Sequence, residues 1–280
     1  MQNENITYIS HKNKLFSISF KDLWEYRDLT MLFVKRNITT SYKQTVLGPI
    51  WIVLNPLLST VVFTVIFGVI ARISTDGIPQ FLFYMSGNVL WIFFSNCLNK
   101  GSSTFLTNSR IFGKVYFPRL VMPIADTIFN FINYIIQTAL FVILVIIYAM
   151  VGANVHPNLF LLLLPVLIVQ TAMLGMGTGL IISSITTKYR DLNILVSFSV
   201  SLWMYLTPVV YPVSQIPGTL RKLLLLNPVA PIVETYRYAF MGCGGFYWHY
   251  WIISLFVTVF ILLVGIVIFN KVEKNFIDTV

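Results

Sequence analysis

Six apolar stretches of bilayer-crossing length occupy most of this 280-residue chain. About 20 apolar residues at 1.5 Å per residue cover the roughly 30 Å of a hydrocarbon core. The stretches are Ile50–Ala71, Phe81–Leu98, Val121–Val151, Leu159–Ser184, Ile194–Tyr211 and Tyr250–Asn270. Charged residues make up 10% of the chain, against about 25% in a soluble domain. The expected fold is an all-α polytopic membrane protein with six transmembrane helices. Residues 1–49 read as a cytoplasmic segment, 50–270 as the six-span domain and 271–280 as a cytoplasmic tail.

Basic residues set the orientation. In that topology, 15 of the 19 Lys and Arg fall on one side, in the N-terminal segment, two connections and the tail. The other side keeps Arg72, Arg221, Lys222 and Arg237. Cytoplasmic loops carry the Lys/Arg excess, so both termini are expected in the cytoplasm. The net charge of +9 follows from this bias and from contact with anionic headgroups, with no need for nucleic acid. The first 49 residues show no apolar core of a signal peptide. Cys97 and Cys243 fall near opposite faces, which excludes a disulfide between them by distance.

Ahead of the first span, Ser19 and Asp22 have capping-box-like spacing. Leu23, Tyr26, Phe33 and Val34 then share one helical face, while Lys21, Glu25, Asp28 and Lys35 share another that Leu32 interrupts. This predicts a helix lying in the headgroup plane, either a docking collar for another protein or a simple leader into the first span.

Two spans carry stripes that lipid contact does not require. Asp126, Asn130, Asn133 and Gln137 recur at helical spacing in the third. Polar groups at membrane depth need protein or water. They line a wet pathway or an inter-subunit seam, or else they hydrogen-bond inside one bundle. Arg119 is a candidate partner for Asp126. In the fourth span Thr171, Gly175, Gly179 and Ser183 form a small-residue ridge, which predicts close helix packing.

Residues 212–249 are too apolar for an external loop. Gly218–Leu226 and Pro231–Met241 read as short helices among Pro208, Pro212, Pro217, Pro228 and Pro231. Their lengths, about 14 and 17 Å, are near half the hydrocarbon thickness. They predict a reentrant hairpin acting as an outer gate, with an interfacial cap as the alternative. Trp203, Tyr205 and Tyr211 lie just before it; on the fifth span Tyr205 shares a face with Ser197 and Ser201, which suits either a sugar chain or helix packing.

No phosphate-binding G-x-x-x-x-G-K-[ST] run, histidine pair at metal spacing or nucleophile elbow occurs in the sequence. Energy must therefore come from a partner or an ion gradient.

Together these residues resemble the permeases of ABC exporters for cell-surface polysaccharides. The resemblance rests on Lys35-Arg36-Asn37, Tyr42 to Trp51 with Asn55-Pro56-Leu57, and Lys114 to Arg119 with Pro123. It continues through Tyr189-Arg190-Asp191-Leu192, Leu206-Thr207-Pro208-Val209 with Tyr211-Pro212, and Asn227-Pro228 with Glu234 and Tyr236-Arg237. One departure is Asn37, where the family pattern would place an Asp. The resemblance implies a homodimer with two copies of a separately encoded ATPase, which binds the ATP and Mg; this chain needs no cofactor. It implies a glycan on undecaprenyl diphosphate (O-antigen, capsule or teichoic acid) in the bacterial inner membrane.

Carried over, Phe20–Arg36 and Asn108–Val115 contact the ATPase, with Trp24, Arg27, Asn108, Arg110 and Lys114 as coupling residues. Arg36 and Lys43 attract the lipid diphosphate at the entrance, although the orientation signal also explains them. Trp203, Tyr205, Pro208, Tyr211, Pro212 and Pro228 belong to the pathway and gate. Two other classes are an ion-coupled carrier, which would need Asp126 for coupling, and an intramembrane glycan-processing enzyme.

Overall fold

A computed structural model describes residues 20–276 apart from positions 44, 116, 188, 190 and 243. The Ser19 cap, Lys188, Arg190 and Cys243 lie outside the described residues. Every regular element among those described is helical. In chain order they are α1 (Phe20–Glu25), α2 (Arg27–Tyr42), α3 (Ile50–Phe63, continued as π-helix Thr64–Ile70), α4 (Gln80–Ser102), α5 (Thr104–Phe112) and α6 (Val121–Met150). A 3₁₀ turn Leu159–Leu163 leads into α7 (Leu164–Thr186). Then follow α8 (Leu192–Tyr205), α9 (Gly218–Leu226), α10 (Val229–Met241) and α11 (Trp248–Phe276).

Five of these segments are long and apolar enough to cross a bilayer: Ile50–Ile70, Gln80–Ser102, Val121–Met150, Leu159–Thr186 and Trp248–Glu273. The remaining candidate is shorter than the sequence suggests. α8 has 14 residues and reaches about 21 Å, ending at Tyr205 rather than Tyr211. Pro208 disfavours the helical conformation at Thr207, so the chain turns there through Thr207 to Val210.

The centre of the bundle is α4, buried along most of its length and packed against α6 and α7. The small-residue ridge explains how close α7 comes. A Cβ on Gly179 would stand 2.8 Å from the Leu98 carbonyl oxygen, and one on Gly175 would stand 2.8 Å from the Cβ of Cys97. Thr171 and Ser183 are buried on the same face. The ridge is therefore an internal seam between α7 and α4, as small residues at four-residue spacing allow. Cys97 is a buried free thiol within it.

Two apolar clusters divide the interior. One joins α4 to α10 and parts of α6, α7 and α8. The other gathers Phe33 and Val34 of α2, Phe105 and Phe112 of α5, the start of α6, Leu180 and Phe269. The N-terminal helices, α5 with its following connection, and the last turns of α11 thus meet at one end of the bundle.

The N-terminal helix is two pieces that break at Tyr26, and the second runs on to Tyr42. Phe33 and Val34 are buried on the predicted apolar face, with Leu23 and Tyr26 packed beside them. That face rests on protein, because α5, α6 and α11 together supply the apolar surface it covers.

Candidate functional site

The two short helices predicted from the proline pattern are present as α9 and α10, and their junction is tied to three neighbours. The Asn227 amide donates to the Leu206 carbonyl at 3.1 Å and to the Thr207 hydroxyl at 2.9 Å. Its oxygen accepts from the Trp203 indole at 3.2 Å and from the Val229 backbone N–H at 3.2 Å. A single side chain thus caps α10 and holds the end of α8. The next residue, Pro228, presents its carbonyl to the Ser254 hydroxyl of α11, and Ser254 accepts from Gln170 of α7 at 2.9 Å. Pro228 leaves no N–H to satisfy at the break, which suits a chain reversal inside protein.

α10 is buried almost throughout. Among the described residues it carries the most enclosed ion pair, Arg237 to Glu234 at 2.9 Å, with the two side chains 2% and 4% exposed. The Arg237 guanidinium also donates to the Val209 carbonyl at 3.1 Å and to the Ser86 hydroxyl at 3.3 Å, and it lies 3.7 Å from the centre of the Phe83 ring. One planar group thus joins α10, α4 and the turn after α8, a use for which Arg's fixed fork is suited. Gly87 makes room for it: a Cβ there would come within 2.9 Å of both Arg237 Nη2 and the Val209 oxygen. At its far end α10 stops at Gly242, whose φ of +69° is the left-handed cap that glycine adopts without strain.

Trp203, Tyr211 and Pro228 line a cavity of about 680 Å³ between the end of α8 and α9, with Leu206, Leu220 and Leu223. Pro208 and Pro212 are buried outside its wall, where they shape the turn. Tyr205 is exposed, and only its carbonyl takes part, accepting from the Tyr211 hydroxyl at 3.0 Å. The residues expected in the pathway and gate therefore divide into a lined cavity and its frame.

Each member of the polar stripe has a partner within the chain. Asp126 accepts from Asn37 at 2.7 Å, Asn133 accepts from the Tyr42 hydroxyl at 3.0 Å, and Gln137 donates to the Ile52 carbonyl at 3.1 Å. Asn130 points at the Cys97 sulfur, 3.9 Å away. The stripe fastens α2 and the start of α3 along α6. Asn37, the departure from the family pattern, is the residue that serves Asp126. Arg119 is elsewhere: it pairs with Glu273 of α11 at 3.8 Å and stacks over Phe112.

At the same end of the bundle Trp24 is 70% exposed, with the Arg27 guanidinium 5.7 Å from its ring. Arg110 and Lys114 are exposed as well. Asn108 is not: it is buried, and its amide donates to the Thr104 carbonyl at 3.0 Å. It therefore holds α5 in shape instead of reaching a partner. Arg36 is half-buried over the Phe33 ring, and Lys43 is exposed at the end of α2, about 10 Å further along the axis.

Sequence reasoning gave no role to Asn227, Glu234 or Arg237, although the signal was present: charged and amide residues inside a proline-bracketed apolar stretch need internal partners.

A bundle built on buried polar joints, with five helices long and apolar enough to cross a bilayer, is that of a polytopic membrane protein. The chain belongs to the ABC-2 type transporter family, whose pattern it matches over residues 28–241. It is 28% identical over 254 residues to the O-antigen export system permease protein RfbA of Klebsiella pneumoniae, an alignment covering 90% of this chain and 94% of that one. It is 31% identical over 223 residues to RfbA of Myxococcus xanthus, covering 79% and 83%. To the polysialic acid transport protein KpsM of Escherichia coli it is 26% identical over 211 residues, covering 74% and 78%.

Proposed function

We propose that this chain is the transmembrane subunit of an ATP-driven exporter that moves an undecaprenyl-diphosphate-linked polysaccharide, O-antigen foremost, across the bacterial cytoplasmic membrane. The observation that carries the reading is the family match over residues 28–241, joined to near-full-length similarity to O-antigen export permeases. In this reading two copies of the chain enclose the path, and two copies of a separate ATPase bind ATP and Mg. Both termini are cytoplasmic. α8 with its following turn makes the fifth of six crossings, and residues 212–249 form a reentrant outer gate.

The packing suggests a route for the motion. α5 lies against α11 through the stacked rings of Phe105 and Phe269, whose centroids are 4.5 Å apart. Fifteen residues earlier, about 22 Å along the same helix, Ser254 holds the Pro228 carbonyl at the hairpin break. A push on α5 by the ATPase would shift α11 as a rod and pull on the junction that Asn227 ties to α8. Arg36 and Lys43 would draw the lipid diphosphate to the entrance, since phosphate oxygens favour Arg and Lys donors.

Affinity purification from the native membrane, followed by an ATPase assay, tests the reading. A stoichiometric partner with a nucleotide-binding motif and vanadate-sensitive hydrolysis is the expected result. A chain that purifies alone, with no ATP turnover, would oppose it.

A further inference from the structure

On the far side of the bundle from α5, a second cavity of about 350 Å³ is lined by Asp76, Ser214, Arg221, Glu234 and Tyr247, with Gly244 and Gly245 at its edge. Its walls come from the connection after the first span, from the hairpin, and from the segment before α11. We propose that it is a binding site for a single neutral sugar ring of the glycan as it leaves. The proposal rests on the export reading above and adds a second, outer contact to it.

The walls are built to stay in place without a ligand. The Ser214 hydroxyl donates to the Asp76 carboxylate, 2.8 Å from each oxygen. Arg221 donates to the Val213 carbonyl at 3.1 Å and to the Ser214 carbonyl at 2.6 Å. Asp76 holds this position with φ at +53°, a conformation that only a few residue types besides glycine, Asp and Asn among them, adopt with little strain.

Acceptors remain on the cavity side. Glu234 gives its Oε1 to Arg237, so Oε2 faces Gly244, where a Cβ would lie 3.3 Å away. A Cβ on Gly245 would come 3.2 Å from the Tyr247 ring. Two successive glycines thus leave clear the space beside a carboxylate oxygen and an aromatic ring. Burial raises the Tyr247 phenol above its ordinary value, with Glu234 and Asp76 adding to this against Arg221, which keeps it a neutral donor.

These groups match the surface of a pyranose. Carboxylate oxygens accept from neighbouring ring hydroxyls, the phenol donates and accepts, and the ring face covers the C–H side of the sugar. Glu234 is neutralised from behind the wall by its ion pair with Arg237, and Asp76 shares the lining with Arg221, so neither sign dominates and an uncharged ligand is favoured. The volume is at the small end of the roughly 300–1,000 Å³ range for ligand pockets, which suits one ring and not a chain.

The test uses the full chain with any ATPase that accompanies it, in lipid nanodiscs, titrated with glucose, mannose, galactose and N-acetylglucosamine. Trp248, exposed beside Tyr247, serves as the fluorescent reporter. A saturable response to at least one sugar is expected. It should weaken about tenfold in Asp76→Asn, which keeps the backbone conformation and an acceptor for Ser214 but loses the charge. Tyr247→Phe should weaken it independently. Absence of a saturable response from folded wild-type protein would overturn the proposal. So would a response unchanged in both variants, or one given by calcium and by no sugar. Surface polysaccharide measured in the same strains separates the two readings: normal export without sugar binding removes only the outer site, whereas no export by the wild-type complex removes the function.

Discussion

Asn227 donates a hydrogen bond to the Thr207 hydroxyl at 2.9 Å, and this joins the break in the hairpin to the end of α8. The two motifs are 20 residues apart in the chain. Their meeting ties the α9–α10 junction directly to the end of the fifth candidate span.

Replacing Asn227 with Ala leaves the half-buried Trp203 indole and the buried Val229 N–H without their partner. Each unsatisfied buried group costs about 1–3 kcal/mol. We expect a lower unfolding midpoint in detergent and reduced surface polysaccharide. Asn227→Asp keeps the acceptor for Trp203 and Val229 and should fall between the two.

Arg237 behaves as one half of a buried pair. Arg237→Met strands Glu234 and should destabilise by about 3–5 kcal/mol. The double change with Glu234→Met should recover much of that loss, read as the thermal midpoint of the three proteins. Equal losses in the single and double variants would mean that the contacts of Arg237 to Val209 and Phe83 matter more than its charge.

Helix contact at the α7–α4 seam is set by absent side chains. Gly179→Ala presses a methyl onto the Leu98 carbonyl and should cost about 1–3 kcal/mol. Gly218, the first residue of α9, has nothing within 4 Å of an added Cβ, so Gly218→Ala should be neutral or slightly stabilising. The same thermal assay compares them.

Asp126→Asn retains an oxygen that accepts from Asn37, so an exporter should keep most of its activity. An ion-coupled carrier that titrates this carboxyl would lose transport altogether. Asp126→Ala removes the acceptor and should lower stability in either case. Surface polysaccharide and detergent unfolding, measured on both variants, distinguish these outcomes.

The residues proposed to contact the ATPase should separate by exposure. Trp24→Ala and Arg27→Glu alter solvated side chains, which usually shifts stability by less than about 0.5 kcal/mol. They should nevertheless weaken recovery of the ATPase in a pull-down. Asn108→Ala should instead destabilise the chain itself, because Asn108 is buried and bonded to its own helix.

Five of the spans, the small-residue ridge and the two short helices α9 and α10 were legible because length, spacing and proline position act locally. The end of α8 was not: apolar composition continues through Tyr211, and only the proline rule at Thr207 marks the stop. Partners across the fold were also hidden. The polar stripe announces four side chains that need company, but nothing local says that Asn37 and Tyr42 supply it. Arg119 was a reasonable partner for Asp126 by side and charge, yet α11 brings Glu273 to it first. Asn108 looked like a surface residue of a short helix and proved to be on its inner face.

The most direct measurement is where lipid-linked polysaccharide accumulates when this chain is deleted and then restored in its native cell. The account predicts that, without it, the glycan stays on its lipid carrier inside the cell, shielded from an external lectin, and returns to the surface on complementation. A deletion strain that displays a normal amount of surface polysaccharide would contradict it.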